Sequence, residues 1–90
     1  MANCRQQFTD LMTTMGATLE EPYSEHKDYE LYKYRGVPIA ITVLGVMYVY
    51  RSEMVCAKQD GSPLYVFNCG EVENGYIQAI IEDTATFINM

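Results

Sequence analysis

The chain has 90 residues, of which 49% are hydrophobic, and a formal net charge of −6. This length suits one small domain, and the apolar content excludes a disordered chain. The negative charge argues against direct contact with nucleic-acid phosphates, which proteins bind through Lys and Arg, and against adsorption to an anionic membrane. The longest apolar run is shorter than the about 20 residues of a membrane span, and the N-terminus shows no secretory signal, so we expect a cytoplasmic protein.

The first predicted element is a helix over Asn3–Gly16. Asn3 could cap its first turn, and Gly16 is typical of a helix end because a left-handed terminal residue costs glycine little. One stripe is apolar at helical spacing and should pack on a sheet, namely Cys4, Phe8, Leu11, Met12 and Met15.

Residues 17–27 are predicted to be a connector without regular structure. Pro22 disfavours helix at the residue before it, and the acids of this stretch show no period. His26 is the only histidine of the chain. We interpret it as a solvated loop residue, because a pH sensor or metal ligand would need a partner.

The stretch Asp28–Arg35 is predicted to be an outer strand, because amphipathic residues alternate onto both of its faces. One face would carry Tyr29, Leu31 and Lys33. The other face would carry Asp28, Glu30, Tyr32 and Tyr34.

The sheet is predicted to be built around a hairpin of two strands, Ile39–Leu44 and Met47–Arg51. Both runs are rich in β-branched and aromatic residues, which suit a pleated surface. Gly45 lies between them and accepts the positive φ of a turn. A last strand is predicted over Leu64–Phe67, whereas 52–58 is either a short helix or, as we favour, a bent extension of the preceding strand.

A second helix is predicted to end the chain within Val72–Ile88. Glu73 would fall inside its apolar face, where an unpaired carboxylate is costly, so the helix should start with Asn74 as its cap. The alternative is a hairpin turn at Asn74 and Gly75. Phe87 belongs to the predicted apolar face, and Phe87→Ala should therefore cost about 3–5 kcal/mol.

These elements predict a single α+β domain over residues 1–90. It would consist of an N-terminal helix, a four-stranded antiparallel meander and a C-terminal helix, because short links favour antiparallel neighbours. Both amphipathic helices are expected on one face of the sheet.

The side chains that could carry chemistry are few. Cys4, Cys56 and Cys69 are an odd number without regular spacing, which favours reduced, structural thiols over a disulfide scaffold. A Cys–His pair or a zinc site with His26 is conceivable, but the spacing supports neither. No glycine-rich phosphate loop is present. We therefore expect a protein that is not an enzyme and has no cofactor or metal.

Two surface features remain as candidate binding sites. The first is a set of tyrosines, since tyrosine combines a large contact area with a polar tip. We expect Tyr48 and Tyr50 to share a strand face next to the strand that bears Tyr32 and Tyr34. Alternatively, the tyrosines simply edge a small core.

The second surface feature is acidic. From residue 59 to the end there is no Lys or Arg, and the acids are Asp60, Glu71, Glu73, Glu82 and Asp83. Of these, Glu71, Glu73, Glu82 and Asp83 are the candidate binding residues for a basic partner. The alternative is an acidic face that only maintains solubility.

The helix–strands–helix order, ending in the helix AIIEDTATFIN, resembles small acidic proteins of phages and mobile elements. It is similar in kind to the anti-CRISPR proteins, inhibitors of bacterial defence complexes. The resemblance covers architecture and charge and assigns no residue a role. The order is also similar to the double-stranded-RNA-binding domain, but that family needs a lysine-rich start to its last helix, where this chain has Glu71, Glu73 and Asn74.

The sequence thus predicts a small, acidic, non-enzymatic protein-binding module. Its most specific form is an inhibitor that occupies a basic, nucleic-acid-handling surface of a partner protein, without itself contacting nucleic acid or membrane. The alternative is an assembly protein that forms a homodimer or larger homo-oligomer through a tyrosine-bearing sheet face. A small enzyme or accessory subunit that uses Cys69 or Cys56 ranks last.

Overall fold

The structure, a computed structural model, describes residues 4–25, 27–53 and 61–90. The described helices and strands follow in the order α1 (Gln6–Met15), β1 (Thr18–Glu21), β2 (Tyr29–Tyr34), β3 (Val37–Thr42), β4 (Val46–Val49), β5 (Tyr65–Asn68) and α2 (Asn74–Ile88). The strands form one five-stranded sheet in chain order, and every neighbouring pair is antiparallel. The fold is therefore α+β with an antiparallel meander, as predicted.

The prediction of four strands is wrong, because β1 adds a fifth. Thr18 and Leu19 pair with Lys33 and Tyr32, and a bulge follows before Glu21 pairs with Leu31. This strand has no alternating apolar residues, and its side chains are mostly exposed. It forms by pairing with β2 rather than from its own sequence pattern. Because β1 lies outside β2, β2 is an inner strand and not the predicted outer one.

The central hairpin is confirmed. The strands β3 and β4 pair through Ile39 with Val49 and Ile41 with Met47. Gly45 has φ +86° in the turn between them, and its N–H donates to the carbonyl of Thr42 at 3.1 Å. The Thr42 hydroxyl also accepts a hydrogen bond from the N–H of Val46 at 3.1 Å, so Thr42 makes two hydrogen bonds across the turn.

Helix α1 ends where the sequence predicts but begins later. Gly16 has φ +77° and follows the last helical residue, Met15. The helix begins at Gln6, and the preceding Arg5 makes no side-chain cap. The proposed cap Asn3 lies outside the described residues.

Helix α2 begins at Asn74, which excludes the alternative of a hairpin turn at this position. Glu73 precedes the helix in an extended conformation and is exposed, as its charge demands. The Asn74 side chain does not cap α2. It bonds instead with Gln7 of α1, donating to the Gln7 carbonyl at 3.2 Å and accepting from the Gln7 side-chain amide at 3.0 Å.

One cluster of buried residues from both helices and from β3, β4 and β5 forms the core. Its members are Phe8, Leu11, Met12, Val37, Ile39, Ile41, Met47, Val49, Phe67, Ile77, Ile81 and Ala85. Ile41, Met47 and Phe67 are direct neighbours across three strands. We call the sheet face that carries them the core face. The opposite face, which carries Leu31, Ala40, Tyr48 and Val66, is called the Tyr48 face.

The expected cost of Phe87→Ala is wrong. Phe87 is 70% exposed, and Tyr76 of the same predicted apolar face is 63% exposed. Helix α2 buries a narrower stripe through Ile77, Ile81, Thr84 and Ala85. A cost of about 3–5 kcal/mol belongs to a fully buried ring such as Phe8.

The prediction of reduced thiols is wrong for two of the three cysteines. Cys4 and Cys69 form a disulfide, with their Cα atoms 5.8 Å apart although the two residues are 65 positions apart in the chain. The bridge joins the segment before α1 to the turn after β5. Cys56 lies outside the described residues.

Two further predictions concern positions that the structure does not describe. They are the solvated loop assignment of His26 and most of the helix-or-strand alternative for 52–58. Within the described ranges, neither helix is long and apolar enough to cross a membrane.

Candidate interaction surfaces

The four predicted acidic residues lie at the start and on the outer side of α2. Glu71 belongs to the turn after β5, Glu73 directly precedes α2, and Glu82 and Asp83 lie in its third turn. Glu71, Glu73 and Asp83 are exposed, and Glu82 is half-buried. The structure thus places all four acids in α2 or in the segment that leads directly into it.

Two of these acids, Glu71 and Glu82, have neutral hydrogen-bond partners. The Asn68 amide donates to Glu71 at 3.5 Å, and the Gln78 amide donates to Glu82 at 3.3 Å. Asp10, an exposed acid of α1, likewise accepts from the Gln6 amide at 2.8 Å. In the part of the chain that the structure describes, none of these carboxylates forms a salt bridge.

Two of the described cations, Lys27 and Lys33, are engaged with groups of the sheet and its loops. Lys27 pairs with Glu21 at 2.6 Å and lies over the Tyr29 ring at 5.5 Å. Lys33 pairs with Glu53. The hydrogen bond from Lys27 to the Glu21 carboxylate raises the pKa of Lys27, since it favours the charged ammonium.

A further cation, the Arg5 guanidinium, lies over the Tyr23 ring at 4.4 Å. This ring is itself tied to the sheet, because its hydroxyl donates to the carbonyl of Ile41 at 3.1 Å. These three cations thus belong to the sheet, its loops and the segment before α1, and within residues 4–25, 27–53 and 61–90 no salt bridge reaches an acid of α2.

The structure separates the predicted tyrosines into two groups. Tyr32 pairs with Ile39 and Tyr34 with Val37, which places both rings on the core face, where they pack against the core cluster. Tyr48 pairs with Ala40 and lies on the Tyr48 face. The strands β2 and β4 are also not neighbours, because β3 lies between them. The alternative that some tyrosines edge the core therefore holds for Tyr32 and Tyr34.

Tyr48 and Tyr50 do form a pair, as predicted. Their ring centroids are 6.5 Å apart and the rings are tilted by 33°. Both side chains are half-buried. Around Tyr48 the same face carries Leu31, Ala40 and Val66, which are its neighbours across the strands.

Burial raises the pKa of Tyr32, and the Glu30 carboxylate adds to this effect. The Tyr32 hydroxyl donates to Glu30 at 3.4 Å, an arrangement that is lost when the phenol ionises. Tyr32 is thus a packing residue with a polar tip at the edge of the core.

One surface groove was not predicted from the sequence. It lies between β5 and α2, has a volume of about 340 Å³ and is lined by Leu64, Tyr65, Asp83, Thr84 and Phe87. Phe87 borders the groove instead of entering the core. The sequence did contain a signal for this groove. The apolar face predicted for α2 is wider than the area that one side of a small sheet can cover, so part of it had to remain exposed.

A second cavity of about 190 Å³ lies at the other side of the sheet, lined by Glu21, Tyr29, Leu31, Tyr32, Lys33, Pro38 and Glu53. The charges on its wall are engaged, Glu21 with Lys27 and Lys33 with Glu53.

The disulfide belongs to a cluster of contacts between α1 and the turn before α2. The Gln7 amide donates to the carbonyl of Val72 at 2.8 Å, and its side-chain oxygen accepts the N–H of Gly70 at 2.7 Å. Since Cys69 is bound to Cys4, it is not a free nucleophile or metal ligand. The enzyme and zinc alternatives therefore lose Cys69 as a free thiol in the oxidised protein.

A comparison with known protein families, curated proteins and solved structures finds no match.

Proposed function

We propose that the protein is a small, acidic, non-enzymatic protein-binding module. In its most specific form it is an inhibitor that occupies a basic, nucleic-acid-handling surface of a partner, as anti-CRISPR proteins do. One observation carries this role: the acids of α2 and of the turn before it are exposed or half-buried and form no salt bridge within the described residues, whereas Lys27 and Lys33 are paired with other acids.

This distribution of charge supports an interaction rather than solubility alone. A mixed surface would serve solubility equally well, but an unneutralised patch of one sign attracts a partner of the opposite sign over a distance of about 10 Å in dilute salt. We also infer that both helices lie on the core face, since their buried residues join one cluster with it. The outer side of this helical layer then carries Asp10 as well as Glu82 and Asp83.

The test is a charge reversal on α2 with a matched reversal elsewhere. Glu82→Lys with Asp83→Lys changes the patch, and Glu20→Lys with Glu25→Lys makes the same change in net charge at exposed positions of β1 and the following loop. Both variants should fold. Wild type and variants are immobilised, partners are captured from the native host, and each purified partner is measured for association rate and for binding of nucleic acid.

We expect the α2 variant to associate about tenfold more slowly at low salt, because steering by the acidic patch is lost. The difference should fade as ionic strength rises. The wild type should displace nucleic acid from the partner, and the β1 variant should do so almost as well. Equal rates for both variants, or a ternary complex with nucleic acid, would contradict the role.

The proposal includes a cytoplasmic site of action, which bears on the disulfide between Cys4 and Cys69. Disulfides persist mainly in oxidising compartments. An inhibitor that works in the reducing cytoplasm must therefore keep its fold when Cys4 and Cys69 are reduced. The contacts of Gln7 with Gly70, Val72 and Asn74 join the same two segments without sulfur chemistry and support this expectation.

A second candidate function is assembly through the Tyr48 face. The observation that favours it is the half-buried pair of Tyr48 and Tyr50 beside the exposed Val66. Tyr32 and Tyr34 do not belong to this surface, since they lie on the core face.

A further inference from the structure

The two edges of the sheet differ in how well they are protected against another strand. The β1 edge carries Glu20 and Glu21 and contains a bulge, two devices that hinder edge-to-edge pairing. The β5 edge, Tyr65–Asn68, has no charged residue and pairs with β4 in continuous register. Among the described strands, none pairs with the outer side of β5, so it is the edge that we expect to accept an added strand.

The hydrogen-bonding groups of Val66 point away from the sheet. The N–H of Cys69 donates to the carbonyl of Gly45 at 2.9 Å. Because every second residue of an antiparallel strand bonds with the same neighbour, Phe67 and Tyr65 also direct their backbone groups towards β4. Val66 and Asn68 are the residues between them, and their backbone groups face outwards. The Asn68 carbonyl accepts the N–H of Glu71 at 3.2 Å, which leaves the N–H and C=O of Val66 at the centre of the edge.

The groove between β5 and α2 lies beside this edge. Tyr65 belongs to the core face, because it pairs with Val49, and it forms the groove together with Leu64, Thr84 and Phe87. A strand added to β5 would direct every second side chain onto this face. Those side chains would contact Tyr65 and the 70% exposed ring of Phe87.

The charge of the groove decides between two occupants. A second copy of this chain, paired through β5, would bring another acidic α2 to the groove that Asp83 lines. Each copy also carries a net charge of −6, so like charges would oppose this pairing. A segment with apolar side chains and a Lys or Arg complements both the apolar wall and Asp83.

We propose that β5 accepts an extended apolar and basic segment of the partner protein by strand addition, with its side chains in the groove between Tyr65 and Phe87. This recognition mode rests on the proposed function and names the element that makes the contact. The backbone of Val66 supplies hydrogen bonds, and the groove with Asp83 selects the side chains.

The probe is the synthetic heptapeptide Thr-Val-Thr-Lys-Thr-Val-Thr. In an extended conformation its two valines and its lysine share one face. Binding is followed by NMR titration of the full chain. We expect the largest shifts at Tyr65, Val66, Thr84 and Phe87. In antiparallel pairing the peptide residue opposite Val66 exchanges its backbone hydrogen bonds with Val66 and shares its face, so it is a threonine next to the lysine. The same peptide with methylated backbone nitrogens at the two threonines that flank the lysine, and one with glutamate in place of lysine, should each bind at least about fivefold more weakly, roughly the worth of one hydrogen bond or charge contact.

Three variants test the protein side. Val66→Pro removes the outward N–H without removing a bond to β4, a position at which an edge strand tolerates proline. Phe87→Ala removes the groove wall, and Tyr76→Ala is its matched control because both rings are exposed on α2. Val66→Pro and Phe87→Ala should weaken peptide binding about fivefold or more, whereas Tyr76→Ala should not. Amide spectra confirm that each variant is folded.

Equal binding of the methylated and unmethylated peptides would overturn strand addition, as would shifts confined to other surfaces. A doubled sedimentation mass of the wild type that Val66→Pro returns to monomer would identify a second copy as the occupant and also overturn it. If the partner is lost on reversal of Glu82 and Asp83 but retained by Val66→Pro and Phe87→Ala, the proposed function stands and strand addition fails. If none of these changes affects capture, both fail.

Discussion

At the residue scale, Gly45 satisfies two constraints at one position. Its φ of +86° is a conformation that other residues adopt only with strain. A Cβ placed on it would also overlap the Cys69 sulfur and lie 3.2 Å from that of Cys4. The turn of the central hairpin and the disulfide therefore share the same space, which only glycine leaves free.

Gly45→Ala should lower the free energy of unfolding more than Gly16→Ala does. Gly16 has φ +77° but nothing near an added Cβ, so its substitution measures backbone strain alone, about 1 kcal/mol or more. The additional loss at Gly45 measures the overlap with the disulfide. Denaturant unfolding of both variants checks this, and equal losses would show that the sulfur atoms move aside freely.

Tyr32 makes stability depend on pH at the alkaline end. Its pKa is raised by burial and then by Glu30, so the folded protein holds the proton longer than the unfolded chain does. The contribution is fully present below about pH 10, the ordinary pKa of tyrosine, and is lost as pH rises through the higher folded pKa.

Tyr32→Phe should therefore reduce the fall in unfolding free energy above about pH 10. Glu30→Gln should reduce it in part, because burial, the largest single cause of the raised pKa, remains. Unfolding curves at several alkaline pH values provide the measurement. An unchanged slope in Tyr32→Phe would show that this phenol does not contribute.

At the element scale, the start of α1 is fastened to the turn that leads into α2. The disulfide joins Cys4 to Cys69, and Gln7 bonds to three groups of residues 70–74. Both links join positions more than sixty residues apart, but only the covalent disulfide persists on unfolding and restricts the unfolded state. The polar contacts of Gln7 supply the same link without covalent chemistry.

Replacing both cysteines, Cys4→Ser with Cys69→Ser, should lower the free energy of unfolding by about 2–4 kcal/mol without changing the fold. A reducing agent should shift the wild type by a similar amount and leave this variant unaffected, which is the internal control. An equal unfolding midpoint for the wild type with and without reductant would show that the bridge adds no stability. Unfolding of the variant in buffer would contradict a role in the reducing cytoplasm.

At the scale of the whole molecule, the acids of α2 and the aromatic pair of the sheet belong to different elements. The acids of α2 are unneutralised within the described chain, whereas the paired lysines lie by the β1 edge and the aromatic pair Tyr48 and Tyr50 lies on the Tyr48 face. A basic partner and a second copy would therefore use different surfaces. The two candidate functions can be tested separately for this reason.

If the Tyr48 face forms a homodimer, the double change Tyr48→Ala with Tyr50→Ala should shift the sedimentation mass towards monomer. Tyr76→Ala, which removes an exposed ring from α2, should leave the mass unchanged. A wild type that is already monomeric at micromolar concentration would remove the assembly function.

The sequence by itself determined the local elements of this protein. Gly16 and Gly45 mark a helix end and a hairpin turn, because the positive φ at each position is a property of the residue and its neighbours. The start of α2 at Asn74 followed from the cost of burying the charge of Glu73. Alternation along β2 likewise placed Tyr32 and Tyr34 on one side of their strand and Tyr29 on the other.

The tertiary structure alone decided which of these elements meet. Strand β1 exists because β2 offers it a hydrogen-bonding partner, not because TLEE has a strand pattern. Cys4 and Cys69 are 65 positions apart, and only the packing of α1 beside the end of β5 brings them together. Phe87 is exposed because the sheet covers only part of the apolar face of α2, and Tyr48 is separated from Tyr32 because β3 lies between their strands. Local patterns record the preferences of a segment, whereas pairing, register and coverage depend on residues far away in the chain.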